Sequence, residues 1–106
     1  MREWETTMEQ PAAAVEEPTY EVYIVECRDG TLYTGIARDA LRRVRTHNRG
    51  LGAKYTRSRL PVTLRYRETL PCRSAALKRE YAIKQLPRSK KLRLIQAFQE
   101  NNRDRA

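Results

Sequence analysis

Apolar residues in this chain first recur at every second position and later at every third or fourth, and that change of period lays out its elements. Between Glu21 and Arg28, Val22, Ile24 and Glu26 project one way and Tyr23, Val25 and Cys27 the other, which predicts a first strand. A second strand is predicted over Leu32–Ile36. Asp29-Gly30 joins the two as a hairpin turn, because such a turn needs positive φ and glycine supplies it without strain. Gly35, inside the end of the second strand, marks a bulge or the close approach of another group, a phosphate or a packed helix. Asp39 then caps a helix over Ala40–Asn48 that Gly50 stops, with Leu41 and Val44 as its inward stripe. Leu51–Leu60 (LGAKYTRSRL) is predicted to be a Gly- and Arg/Lys-rich loop. Pro61 opens a third strand in which Val62, Leu64 and Tyr66 alternate with Thr63, Arg65 and Arg67. Ser74 caps a helix from Ala75 to Leu86, stopped by Pro87, with Ala76 and Ile83 on one edge and Leu77, Tyr81 and Lys84 on another. Ser89 caps a last helix, Lys90–Gln99, whose inward face is Leu92, Leu94, Ile95 and Phe98, and Asn101–Ala106 is expected to fray. The order β-β-α-β-α-α predicts an α+β fold, a three-stranded antiparallel sheet flanked by helices.

Composition divides the chain. Residues 1–19 carry five acids and one basic residue, Arg2, with few apolar groups, and are expected to form a flexible acidic leader. Residues 20–99 form the one domain and 100–106 a frayed tail. Of 22 Lys and Arg, 21 lie after residue 19, against 8 of the 13 acids, so the body carries +13 where the whole chain carries +9. A body that basic repels itself unless a polyanion neutralises it, and nucleic acid is the partner that rewards such a surface. Arg38, Arg42, Lys54, Tyr55 and Arg57 are candidate contacts, cations interleaved with an aromatic ring; a solvated loop would show the same composition. Cys27 and Cys72 match no zinc spacing and suit reduced thiols in a cytoplasmic protein. No apolar run reaches membrane-spanning length, and the acidic N-terminus lacks the apolar core of a signal peptide.

Five residues suit one chemistry. Phosphodiester hydrolysis needs water activated, charge on the phosphoryl oxygens balanced, a divalent ion held and the leaving oxygen assisted. Arg43 suits the phosphoryl oxygens through its fixed charge and fork geometry. Glu80, the only acid between Glu68 and Glu100, suits a single Mg²⁺ or Mn²⁺ that keeps most of its waters. Tyr23 or Tyr33 could take a proton from water if nearby cations favour the phenolate. His47, one helical turn after Arg43, could relay it. Each has an ordinary alternative: sheet aromatics, a solvated arginine, a helix-capping histidine, and an i,i+4 ion pair between Glu80 and Lys84.

The joint pattern of VYI, a ten-residue step from Tyr23 to Tyr33, YTG, RRVRTH and a glutamate inside LKREYAIKQL resembles the GIY-YIG nuclease domain, and in particular its small stand-alone bacterial members. The resemblance spans Tyr20 to Phe98. It implies a three-stranded antiparallel sheet with helices, Tyr23 and Tyr33 as the motif tyrosines, and Gly35 as the structural glycine of the second motif. It also implies Arg43 as the phosphate-stabilising arginine, His47 at a His or Tyr position, and Glu80 as the metal ligand. Tyr23 is favoured as general base, with Tyr33 shaping the site. Three departures stand out. Glu21 and Val22, not glycine, precede Tyr23; Ile36 follows Gly35 where many members carry lysine; and no asparagine follows Glu80 before Asn101. The implied activity is metal-dependent endonucleolytic cleavage of branched, nicked or single-stranded DNA, in repair or processing and with a protein partner for targeting. A non-catalytic nucleic-acid-binding module and a protein-interaction adaptor are the alternatives.

Overall fold

A computed structural model describes residues 18–105. The acidic leader lies outside the described residues except for Pro18 and Thr19, which are exposed. The elements are β1 (Tyr20–Glu26), β2 (Leu32–Ala37), α1 (Ala40–Asn48), α2 (Lys54–Arg57), β3 (Thr63–Leu70), α3 (Arg73–Lys84) and α4 (Arg88–Arg105). The α+β arrangement is therefore as predicted, with one short helix, α2, inside the expected loop.

The strands form an antiparallel sheet in the order β2-β1-β3. Central β1 is apolar at nearly every position because both faces of the sheet are covered. On one face Val22 and Ile24 meet Tyr66, Ala76, Ile83 and Ile95, with α3 and α4 packed over them. On the other, Tyr23, Val25 and Cys27 meet Ala40 and Val62, beneath α1 and the chain that follows it. Both cysteines are free thiols.

Four local expectations change. The hairpin turn spans Cys27–Gly30, closed by the Gly30 N–H donating to the Cys27 carbonyl at 2.8 Å, and Gly30 alone in it has positive φ, +87°. Asp29 instead accepts from the Thr31 N–H and hydroxyl. In β3 a bulge opposite Ile24/Val25 inserts one residue, so Val62 and Leu64 face the α1 side while Tyr66 faces the α3 side. A strict two-residue period puts all three on one face; the bulge breaks that period. In α1 the inward residues are Ala40, Val44 and His47, four and three apart, and Leu41 is 47% exposed. Ser74 and Ser89 lie inside their helices rather than at the caps, and α4 runs on to Arg105 because neither glycine nor proline stops it. Asp39 does cap α1, accepting from the Arg42 N–H at 3.1 Å. Glu21 adds to this, taking the Ala40 N–H at 2.7 Å and pairing with Arg67 at 3.4 Å.

Ile83 is fully buried between α3 and the sheet. Ile83→Ala is expected to lower unfolding stability by about 2–5 kcal/mol, read by urea denaturation. Tyr81→Ala, at a side chain 68% exposed on the same helix, is expected to change it by less than about 0.5 kcal/mol.

Candidate active site

The α1 side of the sheet gathers most of the expected residues. Tyr23 and Gly35 are direct cross-strand partners. A Cβ on Gly35 would lie 2.7 Å from the Tyr23 hydroxyl oxygen and 3.2 Å from Tyr33 Cε2. The group that approaches this glycine closely is thus the pair of tyrosines, which cross over it. Ile36 turns to the opposite face and joins the core with Val22 and Ile24, so that position does not belong to the site wall here.

The Tyr23 hydroxyl lies 2.9 Å from His47 Nε2, both side chains being fully buried. His47 Nδ1 lies 2.8 Å from Thr56 Oγ1, and the Thr56 hydroxyl donates to the Ala53 carbonyl at 2.9 Å. One proton per hydroxyl then fixes the order: Tyr23 donates to Nε2, Nδ1–H donates to Thr56, and Thr56 donates to Ala53. The Ala53 N–H, 3.4 Å from Nδ1, is a weak contact in this arrangement. Gly52 lies against the His47 ring so closely that a Cβ there would collide with it. Gly52, Ala53 and Thr56 were not singled out from sequence. Gly52 carried a signal as the glycine in the loop, whereas nothing marked Thr56 as a histidine partner 9 positions away.

Burial pushes the Tyr23 hydroxyl up to about 12; the Arg43 guanidinium beside it opposes that shift, and the neighbouring Tyr33 and the Glu80 carboxylate add to it. Arg43 lies against this hydroxyl without the alignment of a full hydrogen bond. Burial, then Arg43, lowers the pKa of His47, which is neutral at pH 7. Tyr33 is half-buried, edge-on to His47 with ring centres 5.6 Å apart. Its face stacks on Tyr55 at 5.9 Å, and the Arg59 guanidinium lies over the Tyr55 ring at 3.9 Å. Tyr55 is thus engaged by Tyr33 and Arg59 within the fold while remaining exposed. Arg59 is itself held by Asp29 of the hairpin turn at 3.1 Å.

Glu80 comes from α3, whose buried residues pack on the other face. Its carboxylate is near enough to bear on Tyr23, and its side chain is only 18% exposed. Lys84 Nζ lies 3.2 Å from Glu80 Oε2, so the ordinary i,i+4 pair is also present. Among the described residues no three His, Cys, Asp or Glu side chains cluster as a metal cage. A lone carboxylate with one oxygen, Oε1, free of described hydrogen-bond donors fits a hard ion that retains its waters, such as Mg²⁺ or Mn²⁺. Of the expected nucleic-acid contacts, Arg38 and Arg42 line a depression of about 280 Å³ with Arg43. Lys54 and Arg57 are exposed on α2.

A three-stranded antiparallel sheet with two tyrosines, an arginine and a histidine on one face and a glutamate from a helix beyond it defines a GIY-YIG protein. The model of the GIY-YIG catalytic domain matches residues 19–93, and the chain belongs to that family. Within it, the relatives are small stand-alone bacterial proteins named UPF0213. One from Staphylococcus aureus is 62% identical over 74 residues, covering 70% of this chain and 90% of its own. The solution structure of a protein from E. faecalis is 36% identical, covers 80% of this chain and 92% of that one, and superposes with a TM-score of 0.53. That of a UPF0213 protein from Bacillus halodurans is 43% identical over 74% of this chain and 84% of its own, with a TM-score of 0.49. Among the described residues no helix is long and apolar enough to cross a membrane.

His47 is the single histidine, so its titration is readily followed by NMR. Its folded pKa lies below the ordinary 6.5, so between the two values the unfolded chain binds a proton that the folded chain does not. Stability is therefore expected to be full above pH 6.5 and to fall as pH drops from there through the folded pKa. The NMR midpoint is expected below 6.5, and a midpoint at or above 6.5 would contradict the buried neutral ring.

Proposed function

We propose that this chain is a metal-dependent endonuclease that hydrolyses DNA phosphodiester bonds, directed by the structure of the DNA rather than its sequence. The observation that carries this is the convergence of Tyr23, Tyr33, Arg43 and His47 on one wall, with the Glu80 carboxylate within electrostatic reach of Tyr23. The basic body supplies phosphate contacts, which position a strand without reading its bases.

Roles follow from exposure and proton placement. Tyr23 is buried, its proton is committed to His47, and its pKa is raised, so it serves as a fixed part of the wall. Tyr33 borders an open depression and is the phenol that attacking water can reach, which transfers the base role expected of Tyr23 to Tyr33. His47, held neutral, sets the edge against which the Tyr33 ring rests. Arg43 is placed to balance charge on the non-bridging phosphoryl oxygens. Glu80 would hold a divalent ion, which when bound supplies charge neutralisation at the phosphoryl group and leaving oxygen. The Tyr33 phenolate, its own proton first released to solvent, takes a proton from water, the water oxygen bonds to phosphorus, the ester P–O bond breaks, and the departing oxygen is protonated from solvent. Cytoplasmic location, a place in DNA repair and a protein partner for targeting agree with this activity and form part of the proposal.

Labelled flap, branched, nicked and single-stranded DNAs incubated with Mg²⁺ or Mn²⁺ provide the test. Wild type is expected to cut at least one of them. Arg43→Ala and Tyr33→Phe should slow the cut by about 10²–10³-fold, and Glu80→Gln should remove metal-dependent cleavage while leaving DNA binding in EDTA intact. Wild-type protein that cuts no faster than Glu80→Gln would reject the enzyme, and salt-sensitive binding without cleavage would leave the non-catalytic binding module.

A further inference from the structure

On the proposal that the tyrosine wall accepts a nucleic-acid strand, a second group of cations calls for a role. Lys84 of α3 and Lys91 of α4 converge with Leu32, Tyr33, Thr34 and Tyr55 around a depression of about 320 Å³ at the outer edge of β2. Lys91 lies outside the sequence motifs, and Lys84 entered them as the i,i+4 partner of Glu80. Two helices from the far side of the sheet reach round its edge to place them beside Tyr33.

Lys84, in the last turn of α3, suits the helix dipole, whereas the placement of Lys91 does not serve the fold. Lys91 lies in the first turn of α4, which holds no acid, so a cation sits at the positive end of the helix dipole and destabilises it. Lys84 has one carboxylate partner, Glu80, at 3.2 Å, and that partner is the residue proposed to hold the divalent ion. With Glu80 engaged by a metal, Lys84 and Lys91 form a doubly charged pocket with no acid among the residues that line it. The other basic depression, that of Arg38, Arg42 and Arg43, begins at Ala37. Three residue steps lead from Thr34 to Ala37, so these lining residues lie about 10 Å apart along β2 at the usual rise. Tyr33 borders one and Arg43 the other.

We infer that Lys84 and Lys91 form a phosphate-binding subsite. A single nucleic-acid strand would then run along the edge of β2, one backbone phosphate on these lysines and another on Arg38 and Arg42, with the scissile phosphate between them. The ligand class is a phosphodiester chain long enough to bridge both depressions.

Binding of a labelled single-stranded deoxyoligonucleotide in EDTA across a series of salt concentrations tests this without any cleavage, in a Glu80→Gln parent protein in which Lys84 has lost its carboxylate partner. Each neutralised phosphate contributes about 0.7 to the slope of log K against log salt for a single strand. Lys91→Ala and Lys84→Ala are each expected to flatten the slope by about 0.7, and Lys91→Arg to restore it. Lys78→Ala, at an exposed α3 position that does not line the depression, should leave it unchanged. Lysine-to-alanine variants with the parent slope, equal flattening by Lys78→Ala, or a parent protein that does not bind would each overturn the subsite. Flattened slopes, with wild-type protein that cuts no DNA, keep the subsite and reject the nuclease; unchanged slopes, with wild-type protein that cuts, do the reverse.

Discussion

The hydrogen bond between the Tyr23 hydroxyl and His47 Nε2 is the contact on which the rest of the site depends. It joins the central strand to α1 across a fully buried interface. Leaving either partner unpaired there costs about 1–3 kcal/mol, so the bond fixes both side chains. From His47 the same chain of donors runs through Thr56 to Ala53, which fastens the segment after α1 onto the sheet. Asn48 does the same from the end of α1, its side-chain amide bonding both backbone groups of Val62.

Around that bond the two sides of the sheet divide the work. The side of α3 and α4 is a hydrocarbon core of Val22, Ile24, Ile83 and Ile95, with Tyr66 and Arg79 both tied to Glu68 at its margin. The α1 side exchanges hydrocarbon for oriented polar groups. Tyr33 is held between His47 and Tyr55, and Tyr55 beneath Arg59, which Asp29 anchors. The hairpin turn thereby helps to orient Tyr33 through Arg59 and Tyr55. Rigid support of this kind is what a preorganised site requires, since a small misplacement of a catalytic group is costly.

Much of this was legible beforehand, for identifiable reasons. The strands, α1 and the three-layer order follow from apolar period and from Asp39 and Gly50 as helix signals. Gly35 announced a close approach, although the approaching group proved to be the tyrosines themselves. Tyr23, Arg43 and His47 meet because Arg43 and His47 share a helical face packed on the strand that carries Tyr23. The β3 bulge was hidden, because an inserted residue leaves no mark in an alternating sequence. Leu41 misled because a three-residue step fits either of two helical faces. Thr56 and Lys91, and the place of Lys84 beside Tyr33, were illegible because these neighbours are set by how segments cross, not by spacing along the chain. The isolation of Glu80 in the sequence was informative, and its i,i+4 spacing to Lys84 announced the ion pair that the structure contains.

The central claim is that Glu80 and the tyrosine–histidine wall face one divalent ion across one site. Mn²⁺ titrated into isotope-labelled protein while the NMR signals of His47, Tyr23 and Tyr33 are followed tests it directly, since a paramagnetic ion broadens only nearby nuclei. The predicted result is early, selective broadening of the His47 and Tyr33 ring signals in wild type, absent from Glu80→Gln. Broadening that centres on other carboxylates, such as Glu26 or Glu100, or that persists unchanged in Glu80→Gln, would contradict it.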